Sequence, residues 1–106
     1  MDDACKQQIN EAVNIGGDLL AKMHTDGVAH VIWMGFFYIG GLEEAVDYGF
    51  EAVKTACEAA EIHCEVADLR DLEIPRGFDG VHPTEEGYKM LAQRIWDVKL
   101  DNKIPV

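Results

Sequence analysis

Serine occurs at none of the 106 positions of this chain. Its absence removes the commonest nucleophile of acyl transfer from anything the polypeptide does by itself. Cysteine is scarce as well: Cys5, Cys57 and Cys64 make an odd number and show no C-x-x-C spacing. Cys57 and Cys64 can approach each other across a helix-to-strand turn, which leaves a disulfide open, but two partly buried free thiols are the expectation. Cys64 does not serve as a substitute nucleophile, because it falls early in an expected strand, far from that strand's C-terminal end. Basic residues number nine against twenty acidic ones, a net charge of −11, and they are scattered without a cluster. Such a chain repels phosphates, so neither nucleic acid nor an anionic membrane surface is an expected partner. No apolar run reaches the length of a membrane span, and the longest, from Val31 to Ile39, is interrupted by Gly35. The opening "MDDACKQQ" has no basic region followed by an apolar one, so no signal peptide is expected in this chain. A preceding segment would hide one, which leaves the location open.

The residues that are present describe a soluble α/β domain. Hydrophobic residues make up 48% and charged residues 27%, too apolar for disorder, and the length fits one domain over 1–106 near the lower limit for a useful core. Apolar side chains at Ile9, Ala12, Val13, Gly16, Leu19, Leu20 and Met23 follow helical spacing over 4–24, with Gly16-Gly17 as a weak point. "VAHVIWMGFFYIGG" comes next and is apolar on both alternating faces, as in a strand covered on both sides of a parallel sheet. A second helix is expected from Leu42, burying Leu42, Ala45, Val46, Gly49, Val53, Ala56, Cys57 and Ala60. "IHCEVADL" reads as a shorter strand. A turn-rich loop, "RDLEIPRGFDGVHP", then leads to a helix with Thr84 as N-cap and an inward stripe of Tyr88, Leu91, Ala92, Ile95 and Val98. The order is helix, strand, helix, strand, helix, with one right-handed βαβ unit at its centre. Two strands cannot pair both edges of the first or cover both its faces. The strand near Val31 is therefore expected to need a missing N-terminal half or another copy of the chain.

The chemistry concentrates at residues 79–95, "DGVHPTEEGYKMLAQRI". A histidine acting as general base needs a carboxylate on one ring nitrogen, which fixes its tautomer and stabilises the imidazolium. Asp79 and His82, three apart in a tight turn eased by Gly80, can present both groups on one side of the chain. Pro83 biases His82 away from helical angles, at the lip of the following helix. By itself an Asp-x-x-His spacing is a weak signal.

In its full context, Asp-Gly-Val-His-Pro-Thr, then Gly-Tyr, then an amphipathic helix, this stretch resembles the last block of the SGNH, or GDSL-type, ester hydrolases. The resemblance implies a flavodoxin-like, doubly wound parallel sheet of which this chain is the C-terminal part. It also implies that Asp79 and His82 are the acid and base of a Ser-His-Asp triad acting on an ester substrate. The family's serine block and its oxyanion-hole Gly and Asn blocks have no counterpart here. Asn10, Asn14 and Asn102 stand in no equivalent motif, and the first helix looks like the one that follows the Asn block. The chain alone is therefore expected to be inactive. The alternative is a non-catalytic α/β module that self-associates through its open sheet edge.

"GFFYIGG" closes the first strand at the edge where open α/β sheets bind ligands, so Phe36, Phe37 and Tyr38 are candidates for an acyl pocket. Packing beneath the next helix is an equal alternative for all three. His24, His30 and His63 lie on different elements without ligand spacing, and no metal is expected. Gly40-Gly41 is too short a signal for a phosphate loop, and no cofactor is expected.

Overall fold

The carboxylate of Asp2 accepts the backbone N–H of Cys5 at 2.8 Å and so caps the first helix, α1, Asp3–Thr25. In this computed structural model, which describes residues 1–105, four further elements follow: β1 His30–Met34, α2 Glu43–Ala59, β2 His63–Ala67 and α3 Glu85–Asp101. Asp26 and Gly27, the latter at φ 92°, end α1. Thr84 caps α3 by accepting the N–H of Gly87 at 3.2 Å. The two strands are parallel and pair in register from His30 opposite His63 to Met34 opposite Ala67. The order expected from sequence is thus the order observed: a mixed α/β chain of three helices and a two-stranded parallel sheet. No helix among the described residues is long and apolar enough to cross a membrane.

β1 stops at Met34, short of the apolar run. The backbone of Gly35 still donates to Ala67 at 3.0 Å, and then the chain leaves the sheet. Phe36 and Phe37 stack at 4.7 Å with different fates: Phe37 is buried and Phe36 remains half exposed. α1 packs along α2, and Gly16 lies against the Trp33 indole so closely that a Cβ would collide with the ring. The glycine pair foreseen as a weak point in α1 thus includes the residue that seats α1 over β1. α2 packs on β2, and α3 packs on both strands. The buried core joins Phe37, Leu69, Ile74 and Leu91, with Ile39, Leu72 and Met90 around it. It sits under the two loops that leave the strands, so burial fixes those loops.

The last helix turns Leu91, Ile95 and Val98 inward as expected, but its buried face is rotated away from Tyr88 and Ala92. Tyr88 and Ala92 are exposed, whereas Gly87 and Leu91 are buried and Met90, Arg94, Ile95 and Val98 are half buried. The cause is Gly87. A Cβ there would lie 2.6 Å from the Pro75 carbonyl oxygen and 2.9 Å from Ile74 Cγ2 and Pro83 Cβ, so only glycine admits the loop. Leu42 and Leu19 are also exposed, outside the stripes assigned to them.

The cysteines correct a second expectation. Cys57 and Cys64 form a disulfide, because the turn between α2 and β2 brings their Cα atoms to 5.3 Å. Cys5 is the free thiol. Closing so short a loop stabilises the fold by about 2.5 kcal/mol in the chain-entropy account. Replacing Cys57 and Cys64 together by alanine should lower stability in urea by that order, and an unchanged midpoint would contradict it.

The molecule is a slab of 40 × 35 × 19 Å with a radius of gyration of 14.6 Å, above the roughly 13 Å usual at this length. It exposes 6955 Å², against about 5,900 Å² for a compact monomer of this size. Ile15, Leu19, Met34, Phe36 and Trp96 are among the large apolar side chains left exposed. The surplus of about 1,000 Å² is the area one partner contributes to an ordinary protein interface. In the described residues β1 pairs along one edge only.

Candidate active site

Both strands point their C-terminal ends the same way, so the loops 35–42 and 68–84 share one edge of the sheet. Asp79 and His82 stand in the second of these. Their turn is built by backbone: Gly80 adopts φ 70° and donates to the Gly77 carbonyl at 3.0 Å, and Gly77 donates to the His82 carbonyl at 2.8 Å. A single antiparallel bridge, Arg76 with Pro83, closes the loop. Thr84 ties its base by donating its N–H to the Pro75 carbonyl at 2.9 Å.

Within this turn Asp79 Oδ1 accepts the backbone N–H groups of Val81 and His82, both at 3.0 Å. Its other oxygen lies 2.5 Å from His82 Nδ1. The carboxyl is held down at about 2, by the His82 ring first and by the two backbone donors next. An ionised carboxylate can only accept, so Nδ1 carries a proton, and in the neutral imidazole the lone pair is then on Nε2. That is the tautomer a general base requires. The His82 side chain is 78% exposed, so Nε2 is open to a reacting group and the pair is screened by solvent. Because the carboxyl is depressed, the contact is fully present above pH 4 and is lost as pH falls through about 2. Followed by carbon NMR, Asp79 should titrate near that value, and His82→Ala should move it up toward the ordinary aspartate range. A titration unaltered by His82→Ala would contradict the coupling.

The first loop is brought alongside by Arg76, whose guanidinium donates to the Tyr38 carbonyl at 3.2 Å and lies 5.9 Å from the Phe37 ring. The three aromatic candidates part company there. Phe37 is turned into the core, away from any ligand. Phe36 lines an apolar groove of about 450 Å³ between α1 and α2, with Ile9, Val13, Met34, Leu42 and Val53. Tyr38 donates its hydroxyl to Asp47 at 2.5 Å and borders a different cleft with Arg70, Ile74 and Arg76. Neither Asp79 nor His82 lines the apolar groove.

Sequence reasoning missed the arginines that brace this edge. Arg70 grips Asp68 through Nε and a terminal nitrogen, both at 2.9 Å, reaches Asp47 at 3.0 Å and stacks over Phe50 at 3.8 Å. Asp68 is held below the usual carboxylate range by Arg70, and Asp47 by the Tyr38 hydroxyl and then Arg70. Tyr38 is pushed up by Asp47 in turn. Arg94 of α3 binds both oxygens of Asp71, at 2.7 and 2.8 Å, and also donates to the Asp68 carbonyl. The alternation of charges in "ADLRDL" was the only available sign. His30 and His63, dispersed in sequence, meet across the strand register.

Among the described residues no group of three or more His, Cys, Asp or Glu side chains is arranged to hold a metal. No family model matches the chain, and no curated protein or solved structure is similar enough to match it.

Proposed function

We propose that this chain is the acid–base portion of an SGNH-like serine ester hydrolase, with a partial doubly wound sheet. Asp79 orients and His82 is the base. The serine and the oxyanion donors come from a complementary segment that pairs with the free edge of β1. The observation that carries this reading is the 2.5 Å contact between Asp79 and His82 Nδ1, which directs Nε2, the acceptor of a neutral imidazole in this arrangement, to solvent at the C-terminal edge of the strands. In the mechanism, serine attacks the ester carbonyl while Nε2 takes its proton. Asp79 stabilises the imidazolium, and His82 returns the proton to the leaving alkoxide. Phe36 and Tyr38 border two separate clefts, neither lined by Asp79 or His82, so neither is given an acyl-binding role.

A second reading is favoured by the surplus apolar surface: a non-catalytic module whose β1 edge and α1 flank mediate self-association. Both readings require a partner at β1. The chain alone should show only background hydrolysis of a short acyl ester, and in light scattering it should not run as a monodisperse monomer. Robust, His82-dependent turnover by the isolated chain would overturn the first reading. A well-folded, monodisperse monomer would remove the argument for a partner.

A further inference from the structure

The opposite edge of the sheet carries a histidine pair that the hydrolase reading leaves unused. His30 and His63 begin their strands as register partners, and paired residues on adjacent parallel strands project from one face about 4.8 Å apart. Their Nδ1 atoms approach to 2.8 Å, with ring planes 83° apart. The far nitrogen of His63, Nε2, lies 2.9 Å from Glu65 Oε1. The carboxylate accepts there, so Nε2 of His63 holds the proton and its Nδ1 accepts the Nδ1–H of His30; a chelated ion would take the place of that shared proton. A carboxylate on the distal nitrogen of a histidine is the usual orienting partner of a metal-binding imidazole.

The spacing selects a geometry. With metal–nitrogen bonds of about 2.0–2.1 Å, donors 2.8 Å apart subtend close to a right angle at a shared ion. A tetrahedral ion would need the nitrogens about 3.3 Å apart at the same bond length. Adjacent positions of a tetragonal or octahedral site fit instead, and with two imidazoles and water this suits Cu(II) or six-coordinate Ni(II). No third protein donor is grouped with the pair among the described residues, so water would have to complete the coordination of a bound ion. His24, the other histidine outside the catalytic loop, is engaged at 3.4 Å by Glu61.

We propose that His30 and His63 chelate one divalent ion of tetragonal or octahedral preference, Ni(II) or Cu(II), with Glu65 as the positioning residue. A shared proton between the two Nδ1 atoms is the competing account of the contact, and the following experiment separates the two. The full chain, carrying Cys5→Ala to remove the free thiol, is titrated with Ni²⁺ in a non-chelating buffer while heat and the ¹H–¹⁵N spectrum are recorded. The proposal expects one saturable site and paramagnetic broadening that reaches residues 30 and 63 first. His30→Ala and His63→Ala should each abolish that site, and Glu65→Gln, which keeps both imidazoles, should weaken it by about 10- to 100-fold. Broadening spread without preference over the acidic surface would overturn it. So would alanine variants that bind Ni²⁺ as tightly as the parent, leaving the proton as the only bridge.

Discussion

In an enzyme assembled from this chain and a segment bearing a serine nucleophile, His82→Ala should lower kcat/KM for a short acyl ester by about 10³- to 10⁴-fold. Without Nε2 nothing within reach takes the serine proton as the oxygen attacks. Asp79→Asn should cost a similar factor for a different reason. The asparagine amide would turn its NH₂ toward Nδ1 and force the ring proton onto Nε2, which then cannot accept. Because neither side chain is assigned to substrate binding, KM should change little while kcat carries the loss. Steady-state kinetics on both variants, with ¹⁵N shifts of the ring to report the tautomer, make the check. An Asp79→Asn enzyme with near-normal kcat would mean that the 2.5 Å contact holds the turn and has no part in proton transfer.

Gly87→Val should be the most damaging single change to the scaffold. The new side chain would start from a Cβ position 2.6 Å from the Pro75 carbonyl oxygen, with Ile74 and Pro83 closing the other sides. Two of the three neighbours, the Pro75 carbonyl and the Pro83 ring, cannot swing away as a flexible side chain would. Overpacking of this kind costs about 1–3 kcal/mol, and the small gain in helix propensity over glycine offsets only a few tenths. At this chain length a loss of about 2–3 kcal/mol corresponds to a fall in Tm of roughly 10–20 °C. The damage should reach the site, because Thr84 and the Arg76–Pro83 bridge fix the Asp79 turn against the same loop. Thermal unfolding by circular dichroism measures the first effect and the Asp79 titration the second. A variant with wild-type Tm would show that α3 can slide away from the loop without loss.

The element order was legible because each segment carries its own period. Helical spacing over 4–24 and the continuous apolar run around Val31 are local properties, and the observed elements follow them. The Asp79–His82 contact was legible for the same reason: the two residues lie three apart in a turn that Gly80 opens. What stayed hidden depends on which distant surfaces meet. Phe36 and Phe37 are the same residue type in adjacent positions, and only the arrival of Leu69, Ile74 and Leu91 decides that Phe37 is the buried one. In α3, Leu91, Ile95 and Val98 turn inward as expected, but Tyr88 and Ala92 do not, because Gly87 takes the inward position against the Pro75 carbonyl. Arg70 and Arg94 find their carboxylates across loops, and His30 finds His63 only through strand register. The disulfide needed the 5.3 Å Cα separation, which a seven-residue spacing does not dictate.

The central claim is that Asp79 and His82 serve a nucleophile lying outside this chain. It is tested most directly by labelling that serine. A polypeptide carrying the Gly-Asp-Ser and oxyanion blocks of an SGNH hydrolase is incubated with a fluorophosphonate, with and without this chain. The account predicts slow labelling of the serine alone, and rapid labelling on adding the wild-type chain but not His82→Ala. Equal labelling rates in all three mixtures, with binding of the two polypeptides verified, would contradict it.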